Sequence, residues 1–319
     1  MELIIMSAKF HFLNVGSGDC TIVHFPERTT TDAQGNKRIK AERIMMVDIY
    51  HREDHDEFEN IIEYYKKHFT DESGRIKPIF RFVCTHPHQD HICGLAELFE
   101  NSGIQIINFW DVEHEFEPEE YDKLSSHESD WKTYSEKRKS AENPTIIRTT
   151  REATPSQYWN DDEDRIVILS PSKELLRRAH YGEDASKREK HLVEIDEISY
   201  ALMIKINERK VVLSGDGRSN PVWDDIYANC KEHIKGCNIL KAAHHGQESG
   251  FHEDAVKLMS PQIVIFSNSE EEDKKHGAED LYKKAAPNAL LFKTSDKGNI
   301  IISVPYDSNK AIKYQTENE

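Results

Sequence analysis

The sequence predicts an α/β protein whose strands end in metal-binding side chains. Three observations carry this. A short apolar run at residues 82–84 leads into Thr85-His86-Pro87-His88-Gln89-Asp90-His91, which holds four potential ligands in six residues. Two later apolar runs end in the same manner, residues 210–213 in Ser214-Gly215-Asp216 and residues 239–243 in His244-His245-Gly246. Around the first of these the order is strand, helix, strand, ligand loop, helix, which is what a sheet with covering helices needs.

Composition narrows the class. The 319 residues suffice for one large domain or two small ones, and one domain over 1–319 is expected. With 42 basic and 58 acidic residues the formal charge is −16, so no broad basic surface marks the chain for nucleic acid. A local basic groove at a metal stays open, because the ion itself supplies positive charge. The five cysteines are odd in number and contain no Cys-x-x-Cys pair, which fits reduced thiols and a cytoplasmic location. The N-terminus lacks a basic segment and merges into a strand pattern, unlike a signal peptide. No apolar run approaches the roughly 20 residues of a membrane span, and no membrane partner is expected.

Taken in order, residues 8–25 form two β-rich runs around Gly16-Ser17-Gly18-Asp19. No G-x-x-x-x-G-K-[ST] pattern follows, so a tight turn is preferred to a phosphate loop. Residues 26–42 read as a polar, solvated excursion. Residues 43–49 are a buried strand with Asp48 near its end, either orienting a ligand histidine or capping a loop. Residues 57–69 place Phe58, Ile61, Ile62, Tyr65 and Phe69 on one helical face. A helix is expected over 92–99 and a strand over 104–109.

Residues 111–163 turn sharply polar, with Trp110, Trp131, Tyr134, Tyr158 and Trp159 scattered in or beside them. They read either as a solvated helical insertion, or as a lid whose aromatics stack on substrate and a surface for a protein partner. Strands follow at 165–170, 199–206, 210–213 and 239–243, then at 262–267, 289–294 and 299–304. Helices are expected after Pro171, at 255–259 and at 278–285, with a charged loop before His276-Gly277.

The ligand loop has its own logic. A strand end puts alternate side chains on one face, so His86 and His88 can reach one cation together. The turn that follows can bring Asp90 and His91 to a neighbouring position. Imidazole with carboxylate suits Zn²⁺, and also Mn²⁺ or Fe, and leaves room for water. Seventeen histidines make a chance His-x-His possible, but H-x-H-x-D-H straight after a strand is a far more specific pattern.

H-P-H-Q-D-H resembles the signature of the metallo-β-lactamase superfamily. V-G-S-G-D-C-T-I-V, E-I-S-Y-A-L-M-I, L-S-G-D, L-K-A-A-H-H-G and T-S-D-K-G-N-I-I-I follow the order of the branch typified by the hydrolase domain of the DNA-uptake protein ComEC. The resemblance implies an αββα sandwich, with two mixed sheets covered by helices, and two divalent metal ions, Zn or Mn. It implies that His86 and His88 hold the first ion, Asp90 and His91 the second, and that Asp216 bridges them. One of His244 and His245 completes the second position, His245 being favoured because His-Gly matches the superfamily's last motif, and its neighbour, then His244, faces substrate as a catalytic group beside Asp90. The histidine that many members use as a third ligand of the first ion is missing here; Asp196 or His191 could replace it. His276 falls near a late motif of the branch whose flanking residues differ here.

The resemblance implies a metal-dependent hydrolase, with a phosphodiesterase or nuclease first and nucleic acid or a small phosphodiester as substrate. A lactone, thioester or lactam hydrolase is the alternative, and a non-catalytic binding module the competing class.

Overall fold

The computed structural model describes residues 6–31, 35–52, 57–114, 128–152, 165–181 and 195–318. Its strands are β1 (Ser7–Phe12), β2 (Thr21–Phe25), β3 (Arg28–Thr31), β4 (Lys37–Lys40), β5 (Arg43–Val47), β6 (Ile79–Val83), β7 (Ile106–Trp110) and β8 (Thr145–Ile147). They continue as β9 (Ile166–Ser170), β10 (Ala201–Ile206), β11 (Arg209–Leu213), β12 (Ile239–Lys241), β13 (Ile263–Phe266), β14 (Leu290–Lys293), β15 (Ile300–Pro305) and β16 (Lys313–Thr316). Eight strands build one sheet in the order β16-β15-β1-β2-β5-β6-β7-β8, and six build a second, β14-β13-β12-β11-β10-β9. Both are mixed. In the first, β5 through β8 run parallel; in the second, β11 through β14 do.

Strands of the second sheet are apolar on both faces, and the two faces enter different clusters. Leu202, Ile204, Val211, Leu213, Ile263 and Ile265 pack into the core shared with the first sheet. Their sequence neighbours Met203, Val212, Val264 and Phe266 pack outward beneath helices Asp224–Asn229, Glu253–Met259 and Glu279–Ala285. This period of two explains why these strands read as unbroken apolar runs. Helices Ile61–Phe69, Leu95–Glu100 and Glu128–Lys137 contribute Ile61, Tyr65, Leu98, Trp131 and Tyr134 to the cluster that includes the first sheet. The layers are therefore helices, sheet, sheet, helices. Among the described residues no helix is long and apolar enough to cross a membrane.

The structure corrects several expectations. Residues 26–42 are not irregular: β3 and β4 pair as a separate antiparallel ribbon. Its side chains are largely exposed, so no apolar alternation advertised it. The helix expected over 92–99 is broken into Gln89–Ile92 and Leu95–Glu100. Gly94 sits between them at φ 90°, and a Cβ there would lie 2.7 Å from His51 Cβ. The charged stretch before His276 is the helix Glu270–His276, capped by the Ser269 hydroxyl and lacking any buried face.

The 111–163 segment is in part a packed element rather than a solvated one. Helix Glu128–Lys137 buries Trp131 and Tyr134, which removes both from any role in stacking on substrate. Asp111 anchors it from the end of β7, taking the Tyr134 hydroxyl at 2.5 Å and the Nε atoms of Arg138 and Arg148 at 3.0 Å each. Tyr158 and Trp159 lie outside the described residues.

Candidate metal centre

The parallel halves of both sheets end at the same side, and the predicted residues gather there. Asp48 follows β5, His86 to His91 follow β6, Asp216 follows β11, and His244 and His245 follow β12. Loop backbone ties the ends together. His244 N donates to Gly215 O at 3.1 Å, Tyr200 N to Thr85 O at 3.0 Å, and Asp48 N to Val83 O at 2.8 Å. The turn carrying the histidines is strained, with φ of 51° at His244 and 56° at His245, the left-handed region that favours glycine. Gly246 completes it at φ 86°, where a side chain would run into Phe266.

Two groups of side chains could each hold a cation: His86, His88 and Asp196, and next to them Asp19, His91, Asp216 and His245. In the first, Asp196 Oδ1 lies 3.2 Å from His88 Nδ1 and 3.5 Å from His86 Nε2. In the second, Asp216 Oδ2 lies 3.1 Å from His91 Nε2 and 3.2 Å from His245 Nε2. The same oxygen is 4.0 Å from His86 Nε2 and 3.9 Å from His244 Nε2, so it stands between the two groups.

Asp90 and Asp19 approach the second group differently. Asp90 Oδ2 is 3.1 Å from His245 Nε2 and 3.7 Å from His91 Nε2, in front of the nitrogens that face Asp216. Asp19 Oδ1 instead lies 3.7 Å behind, toward His245 Nδ1, which the Ser267 carbonyl already takes at 3.1 Å. Asp90 therefore shares the ligand space, and Asp19 backs the ring while ion-paired to the buried Lys241.

Three buried polar atoms facing the ligand space have no hydrogen-bond partner: His91 Nε2, Asp196 Oδ1 and Asp216 Oδ1. Buried polar atoms are nearly always paired, so orphans converging on one space point to a cation as their natural partner. The donor set fits zinc or manganese.

The electrostatics agree. Burial would lower His91, but the carboxylates of Asp216, Asp90 and Asp48 reverse this and hold it well above its ordinary value. His245 is likewise raised against burial by Asp216 and Asp19. Burial, with His91 and His88 nearby, pushes His86 well below. Burial opposes ionisation of Asp216, yet His245 and His91 keep it far below the usual carboxylate range.

Supporting contacts orient these ligand candidates. Asp48 Oδ2 meets His91 Nδ1 at 2.8 Å, and Thr85 donates to the same carboxylate through its amide at 2.7 Å and its hydroxyl at 2.8 Å. Of the two open readings of Asp48, orienting a histidine is what the structure displays. His244 stands beside the group, its side chain 18 % exposed, with Nδ1 2.6 Å from Ser249 Oγ. His276 is exposed at the end of its helix and joins neither group. Asp196, one of the two candidates for the missing third ligand, lies with His86 and His88, while His191 lies outside the described residues. Sequence reasoning missed Asp19, read only as part of a turn, and Lys241, whose signal was a lone lysine inside an apolar strand.

Residues 49–185 match the family model described as "Metallo-beta-lactamase superfamily". The match covers less than half of the chain. The two mixed sheets with helices outside them are the metallo-β-lactamase fold, and the matched segment contains His86, His88, Asp90 and His91. Among solved structures, the chain is similar to Igni18, a metallo hydrolase from Ignicoccus hospitalis KIN4/I. Identity there is 12%, over 92% of this chain and 98% of that one, with a TM-score of 0.48. It is also similar to a variant of the β-hydroxylase CmlA, at 9% identity over 93% of this chain and 54% of that one, TM-score 0.50. Unliganded yeast PDE1 matches at 11% identity over 90% and 97%, TM-score 0.47. At 9% identity and a TM-score of 0.50, the likeness to the CmlA variant is one of fold alone. No curated protein matches the sequence.

Proposed function

We propose that the protein is a metal-dependent hydrolase that cleaves phosphodiesters with two divalent ions. The observation that carries the reading is the set of orphaned carboxylate and imidazole atoms around Asp216 Oδ2. His86, His88 and Asp196 would hold the first ion and His91, Asp90 and His245 the second, with Asp216 between the two groups. Two such ions supply an acidified water and positive charge for the oxygen on which charge develops.

The chain's own residues do the rest. Asp48 fixes the His91 ring, and the Ser267 carbonyl fixes His245. Asp90, one third exposed, borders the open side of the second group. His244 faces the same side, with Ser249 setting its ring, and is placed to hand a proton to a leaving oxygen. Nucleic acid or a small phosphodiester is favoured by the resemblance to the ComEC-type branch; the charge of −16 favours short or single strands held locally.

The test has two stages. Protein purified without chelator is expected to carry at least one equivalent of a transition metal by elemental analysis, and Asp216→Ala to lose it together with turnover. One preparation with Mn²⁺ or Zn²⁺ is then assayed on DNA, RNA, a small phosphodiester, a lactone and a β-lactam. Turnover of carbonyl substrates alone would overturn the phosphodiester reading, and absence of metal would leave a binding module.

A further inference from the structure

Arg218 touches the first group from its open side. It lies two residues beyond Asp216, and its Nε donates to Asp196 Oδ2 at 2.8 Å. The other oxygen of that carboxylate is the one that faces His86 and His88. Asp196 is buried at 1 % while the Arg218 side chain remains 34 % exposed. The Arg218 carbonyl accepts from Trp223 N at 3.1 Å, which fixes its backbone at the start of the turn Ser219–Trp223.

The two groups therefore differ in charge. The first offers two imidazoles and a carboxylate already matched by a guanidinium, plus its share of Asp216. The second offers two imidazoles with Asp216 and Asp90 in front and Asp48 behind His91. Lys241 matches only the more distant Asp19. The charge count of the ligands moves the affinity for a divalent cation over decades.

We infer that Arg218 makes the two ion positions unequal. The second fills first and keeps its ion, while the first stays exchangeable because Arg218 offsets Asp196. This rests on the two-ion reading above and adds an order of loading and the residue that sets it. Even at the dielectric constant of water, a unit charge one carboxylate away from a divalent ion shifts its affinity on the order of tenfold.

The experiment titrates metal-free protein with Zn²⁺ or Mn²⁺ by calorimetry, with a competing chelator to resolve the tight step. Two steps at least about tenfold apart are expected. Arg218→Met should tighten the weaker step by roughly tenfold and leave the stronger one alone, whereas Arg218→Lys, which keeps the charge, should stay within about threefold of the native protein. Asp196→Asn should remove the weaker step only. Arg218→Met leaves a buried carboxylate unmatched in the metal-free protein, so its affinities are also read by withdrawing ions from the loaded form with a graded chelator. Two equal steps, or a weaker step that Arg218→Met leaves unchanged or loosens, overturn the inference while sparing the two-ion reading. A protein that binds no transition metal overturns both.

Discussion

Replacing Asp111 by alanine tests whether the helix after β7 is a packed part of the fold. Asp111 is fully buried and takes three donors, the hydroxyl of Tyr134 and the guanidinium groups of Arg138 and Arg148. Removing one partner of a buried charged network costs about 3–5 kcal/mol, because the groups left behind stay out of water. Arg148 is more than a third exposed and can rehydrate, but Arg138 is only 10 % exposed and Tyr134 is buried. That places the loss at about 3–4 kcal/mol. Unfolding entropy of about 2.1 cal/mol/K per residue, over 319 residues, gives about 0.7 kcal/mol per degree. The hypothesis therefore predicts a melting point about 5 °C lower for the loaded protein, by calorimetry. Asp111→Asn keeps an oxygen for Tyr134 and should lose about half as much. A shift below about 1 °C for Asp111→Ala would refute the reasoning and return the helix to the status of a solvated insertion.

Two further predictions concern single side chains at the site. Asp48→Asn should weaken the tighter ion about 10–100-fold in chelator competition, because the bond that holds His91 loses its charge; unchanged affinity would make Asp48 a loop cap. His244→Gln should lower turnover about 10²–10⁴-fold while elemental analysis shows the metal content unchanged, and a loss of metal would instead make His244 a ligand.

How much of this was legible follows from what each residue does to the pattern around it. His86, His88, His91, Asp216 and His245 end apolar strands, so the runs that bury the strands also frame the ligands. The second sheet was readable for the same reason, since its strands are apolar on both faces. Helix Glu270–His276 was not, because it is held by a Ser269 cap and by pairs such as Glu270–Lys274 at 3.0 Å. Such a helix has no apolar stripe to display. Trp131 and Tyr134 looked exposed because acidic and basic residues surround them in sequence; the partners that bury them come from β7 and Leu95–Glu100, distant in the chain. The Arg218 and Asp196 pair spans 22 residues across two loops, a distance that no local pattern encodes.

The site also explains where the fold tolerates strain. Asp48, His244 and His245 are three of the five non-glycine residues at positive φ among the described residues, and all three belong to the candidate centre or its support. Such conformations cost of order 1–3 kcal/mol each and persist only where surrounding structure over-determines them. Here the determinants are visible. Asp48 is held by Val83 and Thr85, His244 by Gly215 and Ser249, and His245 by Ser267. Apart from Ser249, which lies in the same loop as His244, each contact reaches from one strand end to another, so the parallel strands act as a frame that sets loop positions. The carboxylates gathered there repel one another, and neither burial nor chain connectivity favours bringing them together. What the frame gains from them is a concentrated negative field open on the side of Asp90, His88, His244 and Arg218, an arrangement suited to holding cations at an accessible face.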